Sequence, residues 1–389
     1  MVYLLIFILL IWGFFYHDIC NVQKGKRYFY WIVVGFLWAI SAFSYRLGSD
    51  TINYMYEFSY ETKTLFDLTS NDLFGDIDRQ PGWILLMSFS KTLSSSFTFF
   101  KIIYAAFLNF AVASFIYRNC VCKFTILLLY FSFTYFTLNF EVLREGLAIS
   151  FFLFAVKYFF SKEWLKFYLL ILVSISFHIS AIPLLLLPIL GIIRDSRFKI
   201  VVTFFLCVII IILTDRVQGV FYNLLMLEAI SGKALTYFSS DTYGTSIVSI
   251  SNIVNYILNI LIPLIVLDRA IKMKDEICKY SSMIIAYVLI YSLSLQLPIF
   301  YRFNNYFNLF YIIVYVEFFN FRFLFNSLSV RSKKIIGIIG VFAFCTLKLS
   351  VMKTPVEGIP SYVRYYPYSS VFTKEIDKTR EALYLRLGF

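Results

Sequence analysis

Long apolar runs recur along the whole chain and constrain its fold more than any other feature. A membrane offers no water to backbone polar groups, so continuous apolar runs form helices, whereas a membrane barrel would alternate apolar and polar residues. The sequence therefore predicts an all-α polytopic membrane protein with about 11–13 transmembrane helices. The apolar runs lie at about residues 1–16, 28–45, 82–95, 97–117, 124–140, 145–160, 165–177, 181–193, 198–214, 250–268, 280–297, 303–321 and 335–350.

Composition and charge support a membrane protein and exclude a nucleic-acid partner. Hydrophobic residues make up 60% of the chain and charged residues 15%, against about 25% in soluble domains. The net charge is +12, but the basic residues lie in short segments between apolar runs, as in membrane topology signals. The excess of basic over acidic residues favours contact with anionic membrane lipid. We expect the six cysteines to remain reduced, and we predict no cofactor.

The basic segments predict which side of the membrane each connection faces. They hold more than half of the 35 lysines and arginines, and we assign them to the cytoplasm. The domain prediction is a transmembrane region over 1–350, with outer loops at 46–81 and 215–249. A tail at 351–389 carries an amphipathic helix on a membrane surface. The cytoplasmic segments are 17–27, 118–123, 157–166, 194–199, 268–279 and 322–334.

The run at 82–95 leaves two topologies open. If it crosses the membrane, the basic segments after it fall on the wrong side unless the first two spans are inverted. Alternatively, Gly82–Leu93 is a re-entrant segment on the outer side, beginning after Pro81. We favour the re-entrant segment, and we split 165–193 at His178 so that the following basic turn stays inside.

The stretch from Asn139 to Ser180 holds the main candidates for chemistry. It reads as a helical hairpin, with Arg144 and His178 at one membrane face and lysines at the other. An arginine at a helix mouth suits a phosphate partner, although interfacial snorkelling is the simpler alternative. A lone histidine is either a structural hydrogen-bonding group or an acid–base catalyst.

Further polar residues fall in the predicted outer segments. Asp50, Glu141 and Glu145 are carboxylates at membrane depth that suit proton transfer. Asp76-Ile77-Asp78 resembles a metal-binding DxD pair, but an acidic loop can also be merely solvated, so it is a secondary metal candidate only. The predicted catalytic residues are His178, Arg144, Glu141 and Asp50, and the predicted substrate-binding residues are Arg46, Arg302, Tyr306, Arg216 and Asp241.

An ordered set of short motifs resembles the EpsG family of Wzy-like O-antigen and exopolysaccharide polymerases. The set covers most of residues 1–320. Where the family has glutamate before Pro-Gly-aromatic, this chain has Gln80. The motifs are Arg46-x-Gly-x-Asp50, Gln80-Pro-Gly-Trp83, Arg144-Glu-Gly-Leu-Ala148, Phe177-His-Ile-Ser-Ala181 and Arg302-Phe-Asn-Asn-Tyr306.

The resemblance implies a GT-C-like glycosyltransferase in the bacterial plasma (inner) membrane. Such an enzyme joins undecaprenyl-diphosphate-linked oligosaccharide repeats at the outer, periplasmic face, and a chain-length regulator protein is a further candidate partner. Arginines would stabilise the departing diphosphate, and His178 or a carboxylate would accept the hydroxyl proton. An O-antigen ligase and a transporter or flippase of the same lipid-linked sugar are the alternatives.

Overall fold

The computed structural model of this chain describes residues 2–75, 79–193, 195–213, 250–295, 297, 300–319 and 329–388. These residues form two compact units. Unit 1 comprises Met1–Ile182 and Lys334–Phe389, and unit 2 comprises Pro183–Lys333.

Unit 1 is built from helices, with one small hairpin in the tail. Strands β1 (Pro355–Val356) and β2 (Ile359–Pro360) pair antiparallel. The helices are α1 (Val2–Ile19), α2 (Lys26–Ala42), α3 (Ser49–Tyr56), α4 (Ser70–Phe74), α5 (Pro81–Leu93), α6 (Phe97–Asn119), α7 (Lys123–Tyr130), α8 (Phe136–Phe140), α9 (Leu143–Phe160), α10 (Trp164–Phe177), α17 (Val330–Val351, which begins in unit 2) and α18 (Lys378–Arg386).

Helices make up the regular secondary structure of unit 2 within its described residues. Its apolar helices carry polar groups that bond within the unit, such as the Tyr287 hydroxyl, which lies 2.9 Å from the Asn259 side-chain oxygen. The helices are α11 (Leu187–Ile192), α12 (Arg197–Ile212), α13 (Ile253–Met273), α14 (Ser281–Ser294), α15 (Tyr301–Asn305) and α16 (Asn308–Phe319).

The structure confirms the prediction of an all-α polytopic membrane protein. Within the described residues, five helices are long and apolar enough to cross a membrane, namely α1, α6, α13, the Glu276–Ser294 segment that contains α14, and the Arg331–Val351 segment of α17. Three shorter apolar helices accompany them, at Trp164–Phe177, Ile179–Ile192 and Asn308–Phe319. The total of about 11–13 spans stays a prediction.

Helices α2 and α6 form an antiparallel pair that orders the ends of unit 1. The Tyr30 hydroxyl donates to the Ala113 carbonyl at 2.8 Å, and the Trp38 indole donates to the Ile102 carbonyl at 3.3 Å. The C-terminus of α2 and the N-terminus of α6 therefore lie at the same end. The connection between them, residues 43–96, leaves from that end and returns to it.

Helix α5 lies within this connection and does not cross unit 1. Its first turn packs at Gly82 against Ser176, and near its last turn Thr92 Oγ1 accepts from the Leu65 backbone N–H at 2.8 Å. Thirteen residues span about 20 Å, which is less than the hydrocarbon core of about 30 Å. Helix α5 therefore does not run from one end of unit 1 to the other, and its path in the bilayer stays a prediction.

The basic turns of unit 1 gather at the opposite end. Asp18 accepts from the Thr125 backbone N–H at 2.8 Å and pairs with Lys26 at 3.1 Å. Arg118 and Lys157 line one shared pocket at this end. The basic turns between the helices of residues 2–182 thus share one end, whereas the basic C-terminal tail lies at the other, so the sidedness of unit 1 stays a prediction.

Candidate active site

The α9–α10 hairpin places Arg144 and His178 at the same end of unit 1. The Ser174 hydroxyl on α10 donates to the Ala148 carbonyl on α9 at 2.7 Å, which sets the register of the two helices. Arg144 lies four residues before Ala148, and His178 lies four residues after Ser174. Each is about one helical turn beyond this hydrogen bond. We call this end of unit 1 the Arg144 end.

Arg144 lies beside three polar residues of the connection that follows α2. Its guanidinium group hydrogen-bonds the Tyr54 side chain and interacts electrostatically with Glu57, while Asp50 interacts with Tyr54. Burial raises the pKa of the Tyr54 hydroxyl, and Arg144 opposes that shift while Asp50 adds to it. Tyr54 therefore stays protonated near neutral pH and can donate a hydrogen bond.

Sequence reasoning missed Tyr54 and Glu57, although a signal for them exists. Asp50, Tyr54 and Glu57 follow the i, i+4, i+7 spacing, which places side chains on one face of a helix. Starting from Asp50, this spacing would have identified both residues. The helical spacing does not reveal their contact with Arg144, which lies 87 positions beyond Glu57 in the chain.

Glu57 is also held by the segment that opens α5. The Trp83 indole donates to Glu57 Oε1 at 3.2 Å, and Arg79 Nε lies 3.6 Å from the same oxygen. Burial raises the pKa of Glu57, and Arg79, Trp83 and Arg144 each oppose that rise. The aromatic residue of the Pro-Gly-Trp motif thus orients a carboxylate at the Arg144 end.

The Arg46-x-Gly-x-Asp50 motif forms the entry to α3. Gly48 has φ +86°, and a Cβ atom there would lie 1.9 Å from the Phe140 carbonyl oxygen. Only glycine combines this left-handed backbone with such a close approach. The loop is thereby pressed against the segment that precedes Glu141.

Glu141 caps the N-terminus of α3. Its Oε2 accepts from the Ser49 hydroxyl at 2.9 Å and from the Asp50 backbone N–H at 3.2 Å. A carboxylate at a helix N-terminus satisfies a backbone donor and interacts favourably with the helix dipole. Glu141 is buried, and these contacts make it an anchor of the motif loop.

The C-terminal tail reaches the same loop. Arg364 Nη1 lies 3.4 Å from Glu141 Oε1, and the Gly48 backbone N–H donates to the Arg364 carbonyl at 3.0 Å. Arg46 forms a two-point ion pair with Glu381 on α18. Sequence reasoning placed the tail on a membrane surface and did not connect it to the site, because nothing local in the sequence pairs residues so far apart.

His178 is buried at the C-terminus of α10. Its Nδ1 accepts from the Ser180 backbone N–H at 3.1 Å and lies 2.6 Å from the Ser180 hydroxyl. A backbone N–H can only donate, so Nδ1 acts as an acceptor and the neutral ring carries its proton on Nε2. The Phe177-His-Ile-Ser-Ala motif thus fixes the tautomer of His178.

The other predicted site residues divide into two groups. Arg302 and Tyr306 lie in and just after the short helix α15 of unit 2, where Arg302 is half-buried and Tyr306 is buried. Nearby, the Asn304 side-chain amide donates to the Ser294 hydroxyl at 3.3 Å. The second group lies outside the described residues and comprises Arg216, Asp241, Asp76 and Asp78.

The structure therefore brings five predicted residues together at one end of unit 1, namely Arg46, Asp50, Glu141, Arg144 and His178. Comparison with curated proteins and with solved structures finds no match. The model of the EpsG family matches residues 27–370, which is most of the chain, and confirms the resemblance of the motifs. A polysaccharide-polymerase type of function follows in general terms. The chain belongs to the EpsG family.

Proposed function

We propose that this protein is a polysaccharide polymerase that joins oligosaccharide repeats carried on undecaprenyl diphosphate. The transfer takes place at the outer face of the bacterial plasma membrane. Family membership supports the polymerase class. The apolar helices support a membrane-embedded enzyme, which can take its lipid-linked substrate from the bilayer.

The observation that carries the proposal is the setting of Arg144. Its half-buried side chain lies with the Tyr54 hydroxyl and with the carboxylates Asp50 and Glu57, at the Arg144 end of unit 1. A planar guanidinium can hold two phosphate oxygens, and positive charge placed there stabilises a departing diphosphate. The same cluster supplies carboxylates for proton transfer.

The proposed reaction is a single glycosyl transfer. A hydroxyl oxygen of one repeat attacks the anomeric carbon of the growing chain, and the bond from that carbon to the diphosphate oxygen breaks. The bonding electrons leave with the lipid diphosphate, which Arg144 and Tyr54 stabilise. Asp50, half-buried near Tyr54, accepts the hydroxyl proton.

We assign His178 as a hydrogen-bond donor rather than as the proton acceptor. Its Nδ1 is engaged by Ser180, so its Nε2 carries the proton in the neutral ring. Glu141 and Arg46 are proposed as positioning residues, because their contacts hold the motif loop. Arg302, Tyr306, Arg216 and Asp241 remain proposed substrate-binding residues, and a chain-length regulator remains a proposed partner.

Replacing Arg144 by lysine tests the proposal. Arg144→Lys keeps the positive charge but loses the planar guanidinium group that can bond two phosphate oxygens at once. Polymerisation should therefore fall by roughly 10²–10³-fold, as for loss of a transition-state donor. The readout is glycan chain length in a deletion strain complemented at matched expression. Arg118→Lys, at the opposite end of unit 1, is the matched control and should give normal ladders. Normal ladders from Arg144→Lys would refute the assignment.

The deletion strain also separates the alternatives. Loss of a polymerase leaves single repeats on the final acceptor, whereas loss of an O-antigen ligase leaves long chains on the lipid carrier. Loss of a flippase strands the lipid-linked repeat on the inner face. Only the first outcome agrees with the proposed function.

A further inference from the structure

A polar cleft opens beside Glu57 at the Arg144 end. Its volume is about 340 Å³, and its walls include Glu57, Glu61, Asn71, Asp72 and Arg79. Small-molecule sites in proteins commonly measure about 300–1,000 Å³, so the cleft is large enough for a ligand. None of its lining residues takes part in the reaction proposed above, although Glu57 interacts with Arg144.

The side chains of the cleft suit a ligand rich in hydroxyl groups. Carboxylates, an amide and a guanidinium each offer two neighbouring polar atoms, which can bond adjacent hydroxyls of a sugar ring. Arg79 pairs with Glu57 and Glu61, and Asp72 pairs with Lys63 at 2.8 Å, so these groups are already held in place. Ordered polar groups lose little freedom when a ligand binds.

The charge of the cleft argues against an anionic ligand. Three of its lining residues are acidic (Glu57, Glu61 and Asp72) and two are basic (Lys63 and Arg79). Hydrogen bonds from Lys63 and Thr69 lower the pKa of Asp72 to about 2, so it is ionised at neutral pH. A phosphate or carboxylate in the cleft would meet net negative charge, whereas an uncharged sugar would not.

Glu57 connects the cleft to the proposed diphosphate site, because it lines the cleft and also interacts with Arg144. Just before Glu57 and Glu61 in the chain, the exposed rings of Tyr56 and Tyr60 lie 4.9 Å apart. Exposed aromatic faces of this kind offer an apolar surface to the face of a sugar ring. The cleft thus offers groups that suit the hydroxyls of a sugar, and the neighbouring Arg144 offers a group that suits phosphate.

We infer that this cleft binds an uncharged, hydroxyl-rich saccharide segment of the lipid-linked substrate. The inference rests on the proposed function and adds to it a glycan subsite with a charge preference. The part of the repeat that occupies the cleft carries no carboxylate or phosphate group. Arg144 binds the diphosphate outside the cleft.

The test measures binding of a lipid-free saccharide to full-length protein in nanodiscs. The probe is the repeat oligosaccharide released by mild acid from the lipid-linked pool of the host, detected by saturation-transfer NMR. Asn71→Trp fills the cleft from an exposed position on α4, and we expect a Kd at least roughly tenfold weaker. Ser70→Trp is the matched control, since Ser70 is exposed on the same helix but does not line the cleft.

Two further arms separate this inference from the proposed function. Arg144→Lys should bind the lipid-free probe as the wild type does, because the probe lacks the diphosphate, and added pyrophosphate should not displace the probe. Wild-type affinity in Asn71→Trp, equal loss in Ser70→Trp, or no binding by the wild type would each overturn the cleft assignment. Failure of the proposed function would show instead as unchanged polymer length on gene deletion.

Discussion

Arg46 and Glu381 form a two-point ion pair between residues 335 positions apart in the chain. Arg46 Nε donates to Glu381 Oε1 at 2.9 Å, and Nη2 donates to Oε2 at 2.5 Å. This fork-to-fork geometry is the strong form of a carboxylate–guanidinium contact. It fastens the C-terminal helix α18 to the loop that carries Gly48 and Asp50.

The first prediction is that charge reversal of this pair is compensated in the double variant. Arg46→Glu and Glu381→Arg should each lower stability by roughly 1 kcal/mol, because like charges then face each other across a partly exposed contact. The double variant restores opposite charges and should recover most of the lost stability and glycan chain length. Thermal unfolding in detergent and ladder length in the complemented strain measure the two effects.

A different result is expected if Arg46 binds the substrate diphosphate directly. In that case the double variant would regain stability while its glycan chains stayed short. Chain length in the double variant thus separates a positioning role from a binding role for Arg46.

The second prediction concerns the close approach at Gly48. Gly48→Ala should cost at least about 1–2 kcal/mol for its positive φ, more because its ψ of +134° lies outside the left-handed helical region, and more again for the overlap with the Phe140 carbonyl. Gly25→Ala is the control, because Gly25 has φ +73° but open space around it, and it should show only the first cost. Equal melting temperatures for the two variants would contradict the proposed contact.

The third prediction couples α6 and α9. A Cβ atom at Gly146 would lie 2.3 Å from the Tyr104 hydroxyl, which bonds the Leu138 carbonyl at 2.5 Å. Gly146→Ala should therefore destabilise the wild type more than it destabilises a Tyr104→Phe background, where this oxygen is gone. A double-mutant cycle should give a coupling energy of roughly 0.5–3 kcal/mol, and strict additivity would argue against this packing.

The fourth prediction fixes the sidedness of unit 1. Ser59 lies in the 43–96 connection at the Arg144 end, Ser161 lies in the α9–α10 turn at the opposite end, and both are exposed. With the six native cysteines replaced, an impermeant thiol reagent added to intact cells should label Ser59→Cys and spare Ser161→Cys. Labelling confined to Ser161→Cys would place Arg144 on the cytoplasmic side and exclude transfer at the outer face.

Local pattern predicted much of the fold and part of the site. The apolar runs indicated membrane helices because hydrophobic length alone decides whether a segment can span a bilayer. The turn between α9 and α10 followed from its basic residues, and this hairpin placed Arg144 and His178 together before any contact was known. The same pattern left the path of α5 open, since a thirteen-residue apolar segment fits either a crossing or a re-entrant turn.

By itself, the sequence determined the membrane class, the family motifs and the α9–α10 hairpin, because each depends on residues close together in the chain. Only the tertiary structure decided that residues 43–96 return to one end, that Tyr54 and Glu57 lie beside Arg144, and that the tail holds the Arg46 loop. These features depend on contacts between distant segments, whose register is set by packing and by the pairing of buried polar groups. No local periodicity encodes which partner a buried carboxylate such as Glu141 will find.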